Sequence, residues 1–191
     1  GLKPKPRYRG IVAWGDDDCA GQSLRRAKEL RAASRVDKLS VVVRSHHAQW
    51  DELKALASGS AGRMEVISET HDLSTRLPRA HFVVTSGDSW SLEMACVGVP
   101  QLVISQTPKQ AVNGKLLDSE GAANYLGDAE GVTNMMLRDG IANLLDDQLE
   151  RMGMSRCGRQ LIDGRGPDRI VNALEIMVRA GQMSEGERVA A

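Results

Sequence analysis

Aromatic residues are scarce in this chain, with one Phe, two Tyr and three Trp in 191 positions. Its core must therefore be assembled from Val, Leu, Ile, Ala and Met, and at 41% hydrophobic residues there are enough of them for one domain. Net charge is also missing, since 25 Lys+Arg balance 25 Asp+Glu. A chain without a basic excess lacks the electrostatic footprint of a nucleic-acid binder, and no nucleic acid is expected as a partner. No apolar run approaches the ~20 residues of a membrane span, and no charged-then-apolar start marks a signal peptide, so no transmembrane segment is expected. Cys19, Cys96 and Cys157 are the only cysteines, far apart and without CxxC spacing. That pattern argues against a disulfide framework and a structural zinc site and makes a reducing, cytoplasmic setting the expectation. Repeats and low-complexity blocks are absent, and 26% charged residues fit a soluble globular domain rather than a disordered one.

What is present is an alternation of short apolar runs and amphipathic stretches. Strands are expected at Ile11–Trp14, Leu39–Val43, Met64–Ile67, Phe82–Thr85, Gln101–Ile104 and Ala122–Leu126. Helices are expected at Ser23–Ala33, Trp50–Ala57, Trp90–Val97, Gln110–Leu117, Thr133–Leu145, Asp147–Met154 and Ile170–Val178, with a weakly helical piece at 72–77. Strands that are apolar throughout, each followed by a helix, indicate an α/β fold: a doubly wound parallel sheet of Rossmann-like type, covered on both faces. The domain should occupy residues 11–178. A proline-interrupted linker covers 1–10 and a flexible polar tail covers 179–191.

Ligands of such sheets bind at the carboxyl ends of the strands, and two polar clusters sit there. Gly15-Asp16-Asp17-Asp18 follows the first strand. It reads as a metal site for phosphoryl chemistry, as a turn that caps the next helix and approaches a ligand through the Gly15 backbone, or as a solvated acidic turn. Thr85-Ser86-Gly87-Asp88-Ser89-Trp90-Ser91-Leu92-Glu93 runs from a strand end into a helix. Its free amides and hydroxyls read as a phosphate cradle, with Glu93 placed to accept from a ribose diol. They read equally as a capping box of Ser89 or Ser91 with Glu93 and no ligand. His46 and His47, after the second strand, read as a solvated loop pair.

The longer run Val84-Thr85-Ser86-Gly87-Asp88-Ser89-Trp90-Ser91-Leu92-Glu93-Met94-Ala95-Cys96-Val97-Gly98-Val99-Pro100, continued to Ile104 and followed by Lys109-Gln110 and Asn124-Tyr125-Leu126-Gly127, resembles the carboxyl-terminal domain of GT-B-type nucleotide-sugar enzymes. Within these it is most similar to the UDP-sugar hydrolase of the pseudaminic acid pathway and to its spore-coat-polysaccharide glycosyltransferase-like relatives. Leu2-Lys3-Pro4 with Ile11 to Asp18 resembles that family's interdomain connection and glycine turn, and Leu161 to Val171 resembles its closing motif.

The resemblance implies a UDP-sugar ligand and no cofactor or bound metal. It places uracil near Ser68-Glu69-Thr70, the diphosphate at Gly15 and at Ser86, Gly87, Ser89, Trp90 and Ser91, the ribose hydroxyls at Glu93, and the phosphate or sugar side at Gln110. It also implies an amino-terminal GT-B domain, not present in this chain, that closes over the sugar and in the hydrolase branch carries the catalytic histidine. No catalytic residue is assigned within the 191 positions. Asp16 and Asp88 stand where the family has glycine, and Lys109 where it often has Asn. Carboxylates beside a diphosphate repel it by on the order of 1 kcal/mol per pair at ~4 Å in water. The alternative expectation is therefore a catalytically inactive GT-B-like binding or interaction module. A metal-dependent phosphotransferase using Asp16 and Asp18 is a third.

Overall fold

The computed structural model describes residues 7–14, 18, 21–33, 35–68, 73 and 75–189, with side chains as far as Arg179. Six strands form one wholly parallel sheet: β1 (Tyr8–Ala13), β2 (Val36–Val42), β3 (Met64–Ile67), β4 (Phe82–Thr85), β5 (Gln101–Ser105) and β6 (Asn124–Asp128), in the spatial order β3-β2-β1-β4-β5-β6. Among the described residues the main helices are α1 (Gln22–Arg31), α2 (Trp50–Ser58), α3 (Ser89–Val97), α4 (Pro108–Ser119), α5 (Asn134–Asp146), α6 (Gln148–Leu161) and α7 (Gly166–Val189), with a 3-10 turn at Leu77–Arg79. The expected doubly wound α/β fold is the one observed.

Alternation along the strands sends side chains to two apolar layers. Val12, Trp14 and Val84 enter a cluster with Leu24 and Leu30 of α1 and Ile141 and Leu144 of α5. Ile11, Ala13 and Val83 face the other way and meet Met94 of α3 and Val99. Every residue of β4 and β5 is buried, which is why these strands read as unbroken apolar runs. The single Phe, Phe82, packs against Gly10 of β1, where a Cβ would overlap its ring.

Pairing is in step at the strand ends: Ala13 lies opposite both Val42 and Thr85, and Val42 opposite Ile67. The turns after β1, β2, β3 and β4 therefore open on one edge. Because β1 stands between β2 and β4, the chain reverses its winding between β1 and β4, and in such sheets the ligand crevice forms at this switch point, at the carboxyl ends.

Several element boundaries differ from expectation, three of them with a clear cause. β1 begins at Tyr8, inside the stretch read as linker, because Tyr8 pairs with Val36 and its hydroxyl donates to the Leu145 carbonyl at 3.1 Å. α6 continues to Leu161, since Gly158 lets it close on α3: a Cβ there would stand 2.8 Å from the Ala95 carbonyl oxygen. α7 continues helically to Val189, through the stretch expected to be a flexible tail.

Candidate functional site

Two helix amino termini flank the crevice. At the first, Asp18 rather than a ligand closes α1: its Oδ1 accepts from the Gln22 amide at 2.6 Å and its Oδ2 from the Ser23 amide at 2.9 Å. His47 Nε2 lies 3.0 Å from Oδ2. The His47 Nδ1 accepts from the Gln49 amide at 3.1 Å, so the ring proton sits on Nε2 and donates to Asp18. Gln106 Nε2, arriving from the end of β5, is 3.5 Å from Oδ1. The Asp18 side chain is 2% exposed and that of His47 11%. Of the three readings of the acidic turn, the cap describes Asp18. Gly15, Asp16 and Asp17 lie outside the described residues, as do Glu69 and Thr70 of the expected uracil loop, leaving Ser68, half-buried, as its described member.

The reading of His47 as a solvated loop residue is corrected: it is an ordered partner of Asp18. The signal was present in the sequence only as two polar residues after neighbouring strands, and their meeting depends on β1 and β2 being adjacent.

At the second terminus β4 ends at Thr85 and α3 begins at Ser89. Gly87 has φ of 85°, and a Cβ on it would lie 2.5 Å from the Gln110 carbonyl oxygen, so the bend demands glycine for both its dihedral and its contact. The Gly87 amide donates to Ser91 Oγ at 2.9 Å, and Ser91 Oγ donates in turn to Thr85 Oγ1 at 3.3 Å. Asp88 is the cap, its Oδ1 accepting from the Trp90 amide at 2.9 Å. This corrects the capping-box reading: neither Ser89 nor Ser91 is the cap. Burial pushes the Asp88 carboxyl above its ordinary pKa, while Ser86 and the Trp90 and Ser91 amides oppose the shift. Ser86 Oγ is buried without a hydrogen bond of regular geometry, yet close enough to Asp88 to favour its charged form.

Two of the amides expected to cradle a phosphate, those of Gly87 and Trp90, are thus engaged within the chain. Trp90 packs half-buried against the apolar layer of Ile11, Val42 and Ile67. Ser89 and Glu93 remain exposed, four residues apart on one helical face. Gln110 is 5% exposed and completes a capping box at α4: Thr107 Oγ1 accepts from its amide, and its Oε1 accepts from the Gln106 and Thr107 amides at 2.7 and 3.2 Å. Only the donor end of its side chain is left to meet anything else. Among the described residues no three His, Cys, Asp or Glu side chains converge as a metal site would require. No helix of those residues is long and apolar enough to cross a membrane.

No family model matches the chain. It is 30% identical over 111 residues to the spore coat polysaccharide biosynthesis protein SpsG of Bacillus subtilis (strain 168), a match covering 58% of this chain and 33% of SpsG. Among solved structures it is similar to Acinetobacter baumannii MurG (TM-score 0.71, 15% identity, 92% of this chain and 54% of MurG). The spinosyn rhamnosyltransferase SpnG complexed with thymidine diphosphate gives 0.68 at 23% identity, over 88% of this chain and 45% of SpnG. A UDP-N-acetylglucosamine 2-epimerase gives 0.62 at 19% identity, over 93% of this chain and 44% of the epimerase. The chain thus spans a third of its curated relative and about half of each of these structures. Transferases and an epimerase share the arrangement, so fold alone does not choose a reaction. With its six parallel strands and its β1/β4 switch, the chain has the Rossmann-like α/β fold that it shares with these structures, and in sequence it is similar to SpsG.

Proposed function

We propose that the chain is the UDP-binding half of a nucleotide-sugar glycosyltransferase or UDP-sugar hydrolase of surface-polysaccharide or glycan biosynthesis, working in the cytoplasm. The observation that carries this reading is the pair Ser89 and Glu93, presented on one exposed face at the first turn of α3 beside the switch-point crevice. A diphosphate would meet the Ser89 hydroxyl and the start of the helix, and Glu93 would accept from both ribose hydroxyls. Gly15 and Thr70 complete the proposed set on the first and third turns. Binding energy is this half's contribution: it holds UDP so that a second domain can present water or an acceptor to the sugar.

That second domain is part of the proposal, and α7 offers it a seat. Ile170, Val171, Leu174, Met177 and Val178 of that helix repeat at helical spacing and are 54–69% exposed. The occupant proposed for it is an amino-terminal GT-B domain, a reading supported by the chain spanning about half of each solved structure.

Calorimetry with UDP tests the reading. Glu93→Ala should weaken UDP binding by at least ~1 kcal/mol and leave the melting temperature almost unchanged, because Glu93 caps nothing. Lost stability with retained affinity would refute the ribose role.

A second reading, the inactive module, is favoured by one observation: Ser91 and Asp88 already satisfy the Gly87 and Trp90 amides. It requires calorimetric silence at millimolar UDP, with and without Mg²⁺. The metal-dependent phosphotransferase is disfavoured, since both Asp18 oxygens are held by amides and His47 and would have to leave them to bind a cation.

A further inference from the structure

A second polar cleft, of about 300 Å³, lies at the opposite edge of the sheet, over the amino-terminal ends of β1, β2 and β3. Its floor follows from strand register. Arg9 pairs with Lys38 and Ser40 with Glu65, and the two-residue period puts all four on the face that carries Ile11 and Val42. Towards the carboxyl ends this face is sealed by Leu73 and Trp90. Towards the amino ends the cover among the described residues is the short stretch around the Leu77–Arg79 turn, which contributes Arg76 and Arg79 to the rim.

A parallel sheet is ordinarily covered by apolar contact on both faces. Here polar side chains line the uncovered part, and among the described residues that line it four cations, Arg9, Lys38, Arg76 and Arg79, surround one carboxylate, Glu65. Glu65 is already shared by Arg76 Nε at 2.9 Å, Lys38 Nζ at 3.7 Å and Ser40 Oγ at 2.7 Å. Those contacts, Arg76 first, hold its carboxyl below the usual pKa, so it stays ionised and has little capacity for a further cation. The Arg9 and Arg79 guanidinium groups have no acceptor among the described residues. Cations crowded around a half-enclosed cavity repel one another, and an oxyanion entering between the Arg9 and Arg79 guanidinium forks relieves that repulsion while forming charge-assisted hydrogen bonds.

We propose that this cleft is a binding site for a small oxyanion of charge −2 or greater, of the organic phosphate class, gripped by Arg9 and Arg79 with Lys38 and Arg76 behind them. It is separate from the nucleotide crevice, because the seven residues of β2 put the two edges roughly 20 Å apart. It therefore stands or falls independently of UDP binding.

The probe is inorganic pyrophosphate, titrated calorimetrically into the 191-residue chain at low ionic strength. Both arginines are exposed, so Arg9→Gln/Arg79→Gln should fold normally, and a melting curve checks this. The expected result is pyrophosphate binding that the double variant weakens about tenfold or more. A charge-matched control, Arg165→Gln/Arg179→Gln, should leave it unchanged. Absence of heat up to about 10 mM pyrophosphate overturns the proposal. So does equal weakening by the control pair, which would mean a diffuse charge effect, or full affinity in the Arg9/Arg79 variant, which would place the anion elsewhere.

Discussion

The two helix termini at the crevice use the same device, a carboxylate drawn in to close the first turn, and put it to different use. At α1 the closure is complete: Asp18 is buried, accepts two amides and is held from behind by His47. At α3 it is partial: Asp88 satisfies Trp90, Ser91 satisfies Gly87, and Ser89 and Glu93 still face outward. A sealed terminus can only be structural. A partly closed one can stabilise the empty protein and still offer its remaining groups to an anion. The contrast also bears on the repulsion expected from carboxylates near a diphosphate. The Asp18 oxygens are hydrogen-bonded by two amides and His47, whereas Asp88 is disfavoured as an anion by burial and is the group whose protonation a nucleotide would promote.

The largest effect should come from Gly87→Ala, which breaks the partly closed side outright. It forces a Cβ to within 2.5 Å of the Gln110 carbonyl at φ of 85° and should destabilise the protein by about 2–4 kcal/mol in denaturant unfolding, abolishing UDP binding as the bend moves.

Asp18→Ala opens the sealed side. It strips the cap from α1 and leaves His47 without its acceptor, and a loss of about 2 kcal/mol in thermal or chemical unfolding is expected. Retained UDP affinity in a variant so destabilised would confirm that this terminus is structural.

Asp88→Asn sharpens the comparison most finely. Asn caps as well as Asp, so stability should change by less than ~0.5 kcal/mol, while UDP affinity rises because a charge facing the diphosphate is gone. The pH dependence has a definite sign. Asp88 has a folded pKa above the 3.8 of the free group, so the native state holds this proton more tightly than the unfolded one. Its contribution to stability is present at low pH and is lost as pH rises through the folded pKa. In the wild type UDP should likewise bind more tightly as pH falls towards that value. Calorimetry over a pH series checks both, and in Asp88→Asn the slope should flatten. An unchanged slope would mean that some other group carries it.

Much of this was legible in the residues. β4 was bounded correctly and β5 nearly so, because buried parallel strands are apolar on both faces and leave no periodicity to misread, and the half-buried edge strand β3 was bounded correctly as well. The bend at Gly87 was legible because glycine followed a strand and preceded a helix. Less visible was which polar group closes which helix. Asp88, Ser89 and Ser91 are all competent caps, and the choice depended on Gly87 turning Asp88 back over the Trp90 amide while Thr85 and Gln101 held Ser91 inside. β6 was expected two residues too early: Ala122 and Ala123 are as apolar as a strand, yet the Ala122 amide donates to Leu117 at the end of α4, and pairing with Leu102 starts only at Asn124.

Local order, then, was written in the chain itself: runs of Val, Ile and Leu commit to strands, amphipathic stretches commit to helices, and their alternation leaves a parallel sheet as the arrangement that buries both. Meetings between distant residues were not. Asp18 reaches His47 because β1 and β2 are neighbours, and Arg9, Lys38 and Arg79 share a cleft because parallel register stacks amino-terminal ends from three separate segments. Hydrophobic patterning acts over a few residues and is readable along the chain, whereas charge complementarity acts through space, and the folded sheet alone determines which charges become neighbours.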